Sequence, residues 1–94
     1  MTDLQMTPRQ VAEEWNDRLP LADQRVLDAV LYELPAGARV GQPYRVSVGR
    51  MSQRLGKSRR TLTTHLGRLR EAGALFCENG GWGLAFADWS EHDE

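Results

Sequence analysis

Two helical segments stand nearly end to end in the middle of this sequence, with a single tight turn between them. Ser47 is suited to cap the first, and Val48, Met51 and Leu55 follow at spacings of three and four, the stripe of a helix that faces a core. Gly56 stops that helix, because glycine adopts the left-handed backbone that a tight turn needs. Only Lys57 separates this glycine from Ser58, a second good N-cap. The next helix runs from Arg59 to Ala72 on an apolar stripe of Leu62, Leu66 and Leu69, and Gly73 ends it. A helix of about eight residues, a glycine-containing turn of about three and a longer helix make a helix-turn-helix.

The flanking sequence adds further elements. Val26, Leu27, Val30, Leu31 and Leu34 mark a helix from about Ala22 to Leu34, broken by Pro35-Ala-Gly37. Before it, an amphipathic helix is predicted from about Pro8 to Arg18, with Val11, Ala12 and Trp15 on one side. Thr7 can cap it, and Pro8 suits a first helical position, where its missing N–H is no loss. Pro20 disfavours helical geometry in the residue before it and so ends this helix near Leu19. The stretch Arg39 to Val46 reads as a loop with a brief strand at Tyr44-Arg45-Val46. After Gly73 the period changes from helical to extended. Ala74 to Glu78 and Trp82 to Phe86 flank Asn79-Gly80-Gly81, and Asn-Gly between apolar runs is the strongest short signal for a β-hairpin. The expected fold class is mainly α with a small β-hairpin, an α+β arrangement. One domain is expected over residues 1–94, with its core at about 21–86 and an acidic tail over 87–94 that is frayed except where Trp89 docks.

The distribution of charge, rather than its total of -1, is informative. From Leu34 to Arg70 there is no Asp or Glu, yet nine basic residues occur: Arg39, Arg45, Arg50, Arg54, Lys57, Arg59, Arg60, Arg68 and Arg70. This block is +9 and the remainder of the chain -10. Such a block attracts a polyanion even when the whole chain is near neutral. No apolar run approaches the roughly 20 residues that cross a bilayer, so no membrane partner is expected. Met1-Thr-Asp-Leu-Gln has neither the basic start nor the apolar stretch of a secretory signal, which predicts a cytoplasmic, reduced protein. Cys77, the only cysteine, cannot form an internal disulfide and reads as a small core residue of its strand. His65 has no second His, Cys or carboxylate at metal-binding spacing and reads as a partly buried packing residue; neither a metal nor another cofactor is expected. Enzymatic function is not expected either. The sequence offers no glycine-rich phosphate loop, no nucleophile with a base, and no paired carboxylates on one face.

The stretch from Ser47 to Leu75 resembles the winged helix-turn-helix of bacterial transcription regulators. The resemblance rests on Leu55, Gly56, Ser58, Thr61, Leu69, Gly73 and Leu75 in that order, and it covers about Leu21 to Phe86. It implies a sequence-specific protein that binds double-stranded DNA, with the helix near 58–72 in the major groove. Lacking room for an effector domain, such a chain is expected to act as a small repressor or a plasmid or phage accessory factor. The chemistry of that helix agrees. Opposite Leu62, Leu66 and Leu69 lie Arg60, Thr64 and Arg68, flanked by Arg59 and Thr63. Arginine pairs in bidentate fashion with guanine, and threonine offers a hydroxyl and a methyl group. Recognition helices present their N-terminal part to the bases, so Arg59, Arg60, Thr63 and Thr64 are the expected base contacts. Arg50, Arg54, Lys57, Ser58 and Arg68 are the expected phosphate contacts, which set affinity and register. Ser58 is a helix cap in either case, and Thr61 is expected to support the turn.

The sequence departs from this pattern at the hairpin tip. Glu78, Asn79, Gly80 and Gly81 offer no basic side chain, so the wing either stays out of the groove or contacts DNA through its backbone and Asn79. The acidic N-terminal helix and tail should point away from DNA. Val11 and Trp15 would pack that helix on the body or form a homodimer contact, since two-fold pairing is the usual way a small domain reads DNA. Gly67 in mid-helix costs about 1 kcal/mol relative to alanine, which a close approach by another element near Val26 would explain. The alternative reading is a winged-helix adaptor that binds protein, suggested by the uncharged wing and the three tryptophans.

Overall fold

The computed structural model describes residues 7–85. Four helices come first: α1 (Pro8–Asn16), α2 (Leu21–Glu33), α3 (Val48–Leu55) and α4 (Arg59–Ala72). They are followed by an antiparallel hairpin of β1 (Leu75–Glu78) and β2 (Gly81–Leu84). This is a mainly helical α+β arrangement, as the sequence predicts. The acidic tail, Phe86 and Trp89 lie outside the described residues.

Local chemistry sets the helix starts. At α1, Thr7 Oγ1 accepts from the Gln10 N–H at 3.2 Å, and Gln10 Oε1 accepts from the Thr7 N–H at 2.8 Å. This reciprocal pair is a capping box, and it satisfies two backbone donors that a helix start leaves open. Ser47 Oγ accepts from the Arg50 N–H at 3.1 Å, and Ser58 Oγ accepts from the Thr61 N–H at 3.1 Å. α2 differs, because its N-cap is Pro20, which has no side-chain acceptor. α1 ends at Asn16, two residues before Arg18, because the corner into α2 already turns there: the Arg18 N–H donates to the Trp15 carbonyl at 2.8 Å.

The core lies where α2, α3 and α4 meet the hairpin. Val26, Leu27 and Val30 of α2, Met51 of α3, Leu62, Leu66 and Leu69 of α4, and Leu75 and Leu84 of the strands are all fully buried. Burying one such side chain contributes about 1.5–3 kcal/mol relative to leaving it in water. Val48 and Leu55 are partly buried against this cluster. α1 joins it through Val11, Ala12 and Trp15, packing on α2 and β2 and not on α4. Of the two uses expected for Val11 and Trp15, the fold shows packing on the body. Their apolar surface is covered within the chain, so a dimer through α1 would have to use its outer side.

The α3–α4 turn is fastened from inside. Gly56 takes φ 68°, and its N–H and that of Lys57 both donate to the Ser52 carbonyl, at 2.9 and 3.2 Å. The Ser52 hydroxyl in turn donates to the Lys57 carbonyl. Three residues therefore reverse into α4 with no loose backbone.

The hairpin differs from expectation in three places. Its turn is Asn79-Gly80, at φ 52° and 81°, so Gly81 is already in β2 and pairs with Glu78. Cys77 is exposed and faces Trp82 across the strands; it is not a core residue, because, although it shares Leu75's side of β1, it lies nearer the turn, past the end of the buried cluster. The brief strand expected at Tyr44–Val46 reduces to one bridge. Tyr44 and Trp82 exchange two backbone hydrogen bonds of 2.8 Å, and the Gly41 N–H donates to the Leu84 carbonyl at 2.8 Å. This arm lies so close to β2 that a Cβ at Gly83 would collide with the Gln42 carbonyl and the Phe76 ring. Gly83 is thus required by packing. Gly67 is not: a Cβ built there meets nothing within 4 Å, so no approach by another described element explains it.

Candidate nucleic-acid interface

The start of α4 brings the expected base-contacting residues together. Leu62 turns into the core, which leaves Arg59, Arg60, Thr63 and Thr64 exposed on the outer side of the first two turns. Neither Arg59 nor Arg60 has a carboxylate partner among the described residues. Arg59 leans back over α3, where its Nη2 would stand 2.9 Å from a Cβ at Gly49. A glycine there gives the guanidinium its space. Thr64 Oγ1 donates to the Arg60 carbonyl at 3.2 Å, an i−4 bond common for threonine in helices, which leaves its oxygen lone pairs outward.

The five expected phosphate contacts separate into different environments. Ser58 caps α4, and its Oγ also lies 3.0 Å from Thr61 Oγ1, so Thr61 supports the turn. Lys57 is half-buried in the turn. Arg54 stacks over the Tyr32 ring at 4.3 Å from its centroid, a cation–π contact that keeps the guanidinium at the surface. Tyr32 is 70% exposed.

Arg50 and Arg68 are held by acids from α2. Arg50 Nη2 and Nε donate to Glu33 Oε1 and Oε2 at 2.8 and 3.2 Å, and Glu33 Oε1 also accepts from the Ser47 N–H at 3.2 Å. The Glu33 side chain is 3% exposed and that of Arg50 71%. The Arg50 hydrogen bond pulls the Glu33 carboxyl below its ordinary value, outweighing burial, which acts the other way. The Glu33 carboxylate correspondingly raises Arg50. Arg68 Nη2 stands 3.5 Å from Asp23 Oδ2. Asp23 is buried, and its Oδ1 lies 2.6 Å from His65 Nδ1. His65 is therefore more than a packing residue: it joins α4 to α2.

No motif in the sequence marks Asp23, Glu33 or Tyr32 as part of this surface. One signal was present. Asp23 precedes Val26, Leu27 and Val30 by three, four and seven residues, and Glu33 follows Val26 and Val30 by seven and three. Both acids thus fall on the apolar stripe of α2, where a carboxylate needs a partner.

The hairpin tip, Glu78 to Gly80, is exposed and carries no cation. Trp15 is 8% exposed, and Trp82 is half-buried against the core. No helix among the described residues is long and apolar enough to cross a membrane. Compared with protein-family models, with curated proteins and with solved structures, the chain has no match in any of the three.

Proposed function

We propose that this chain is a winged helix-turn-helix domain that binds double-stranded DNA sequence-specifically, with α4 in the major groove. The observation that carries the reading is the outer side of the first turns of α4. Four side chains suited to base edges, Arg59, Arg60, Thr63 and Thr64, stand exposed there, and the two arginines lack an internal counter-charge among the described residues. An arginine left without an acid on a helix built to project from the core is available to guanine or phosphate. Arg54, Lys57 and Ser58 flank this row from α3 and the turn, where a phosphate strand would run. The hairpin after α4, bridged by Tyr44, supports the winged reading. Its tip, which carries Glu78 and no cation, stays out of the groove. In this reading the protein is a small transcriptional regulator, a repressor or a plasmid or phage accessory factor.

The test is a fluorescence-anisotropy titration of a mixed random-duplex pool at two salt concentrations, with wild type beside Arg59→Ala/Arg60→Ala. Wild type should bind, and its affinity should fall steeply with salt as counterions are released. The double variant should bind about 100-fold more weakly, since each lost arginine contact is worth about 1–3 kcal/mol. Absence of wild-type binding at low salt overturns the reading.

A further inference from the structure

Nothing among the described residues accounts for Gly67. It lies in the interior of α4, a helix of 14 residues, and its φ is not among the positive values that demand glycine. A Cβ there would meet nothing within 4 Å. Gly83 and Gly49 stand in contrast, because a side chain at either would press on Gln42 and Phe76 or on Arg59. Alanine would fit at position 67 and favour the helix. The reason for the missing side chain is therefore to be sought outside the described fold.

The position says where. Gly67 follows Thr63 by four residues and Thr64 by three, so the three share a face with Arg60. Thr63, Thr64 and Arg60 are exposed, as are Arg70 and Arg68 beside Gly67, Arg68 already reaching Asp23 of α2. The bare stretch of α4 backbone thus sits between Arg60 and Arg70, which have no carboxylate partner among the described residues. No acid occurs on this helix until Glu71, one turn further on. A glycine lets another backbone come close, and a surface of this charge attracts a polyanionic one.

We propose, resting on the DNA-binding reading above, that Gly67 is the point of closest approach between α4 and a DNA strand. There the absent side chain admits the sugar–phosphate wall of the groove to the helix backbone. The contact runs from Arg60 to Gly67, about 10 Å along the helix at about 1.5 Å per residue. That length approaches the width of the major groove, about 12 Å. α4 accordingly meets the duplex through its middle as well as its first turn, and Glu71 ends the footprint.

Two variants test this, Gly67→Ala and the larger Gly67→Leu, each read by thermal melting and by anisotropy on the random-duplex pool at low salt. The expected result has opposite signs in the two readouts. Gly67→Ala should melt about 4–8 °C higher, because a helix-favouring residue replaces glycine. It should bind duplex about tenfold more weakly, and Gly67→Leu more weakly still. Raised melting with binding equal to wild type in both variants overturns the inference while leaving the DNA reading intact. Lowered melting of Gly67→Ala also overturns it, by revealing an internal need for glycine. A wild-type protein that itself fails to bind overturns the DNA reading and this inference with it.

Discussion

The two sides of the basic surface differ in their counter-charges. Beside α2, Arg50 is clasped by Glu33 and Arg68 reaches Asp23. At the leading end of α4, Arg59 and Arg60 face no carboxylate among the described residues. One residue type therefore serves two purposes within a single acid-free stretch of sequence. The first group fastens: Glu33 ties the start of α3 to the end of α2, and Asp23 ties His65 and Arg68 of α4 to the beginning of α2. The second group presents charge outward. A basic stretch in sequence is not a uniform basic patch in space, and the residues to test for a polyanionic partner are those the fold has not already neutralised.

Three variants probe that division. The largest effect belongs to Arg59→Ala/Arg60→Ala, which should lower duplex affinity about 100-fold with little change in melting, since both side chains are exposed. Next is Asp23→Asn. It removes the buried charge that faces His65 and Arg68, and should cost about 1–3 kcal/mol of stability by urea denaturation. Duplex affinity below the transition should change little. A gain in affinity comparable to the loss in the double variant would mean that α2 governs the whole surface, and the division would fail.

The smallest effect on binding belongs to Arg50→Ala, which should weaken it less than about threefold, because an arginine bound to Glu33 has little charge to offer a phosphate. Its signature is pH dependence. Glu33 titrates below its ordinary value of 4.5, chiefly through the Arg50 hydrogen bond. A depressed carboxyl contributes stability that is complete above its unfolded value and is lost as pH falls through its folded one. Wild type should therefore lose stability on acidification below about pH 4.5, and Arg50→Ala should show less of that loss in acid melting curves. An affinity loss matching the double variant would show that Arg50 leaves Glu33 for DNA.

The elements governed by local chemistry were legible in the sequence. Ser47 and Ser58 cap the helices expected of them, Gly56 and Gly73 take left-handed backbones, and Asn79-Gly80 makes the hairpin turn. The chain positions that differ depend on contacts distant in sequence. Its residue type places Gly81 in the turn, yet its small size serves the Tyr44 arm beside it. Residue type and strand alternation put Cys77 on the core side with Leu75, but they do not say how far along the hairpin the core extends. Asp23 and His65 are 42 residues apart, and no local pattern on α4 announces their pairing. For the candidate site, exposure of Arg59, Arg60, Thr63 and Thr64 followed directly from the leucine stripe. Which of the neighbouring arginines are bound to acids depended on how α2 packs across α3 and α4.

Whether α4 meets the duplex can be read residue by residue from backbone-amide NMR of the isotope-labelled chain titrated with duplex DNA. The largest shifts should run from Arg54 through Gly67, with α1 and the Asn79-Gly80 turn nearly unchanged. Shifts concentrated on α1 or on the hairpin, with α4 silent, would contradict DNA binding through α4.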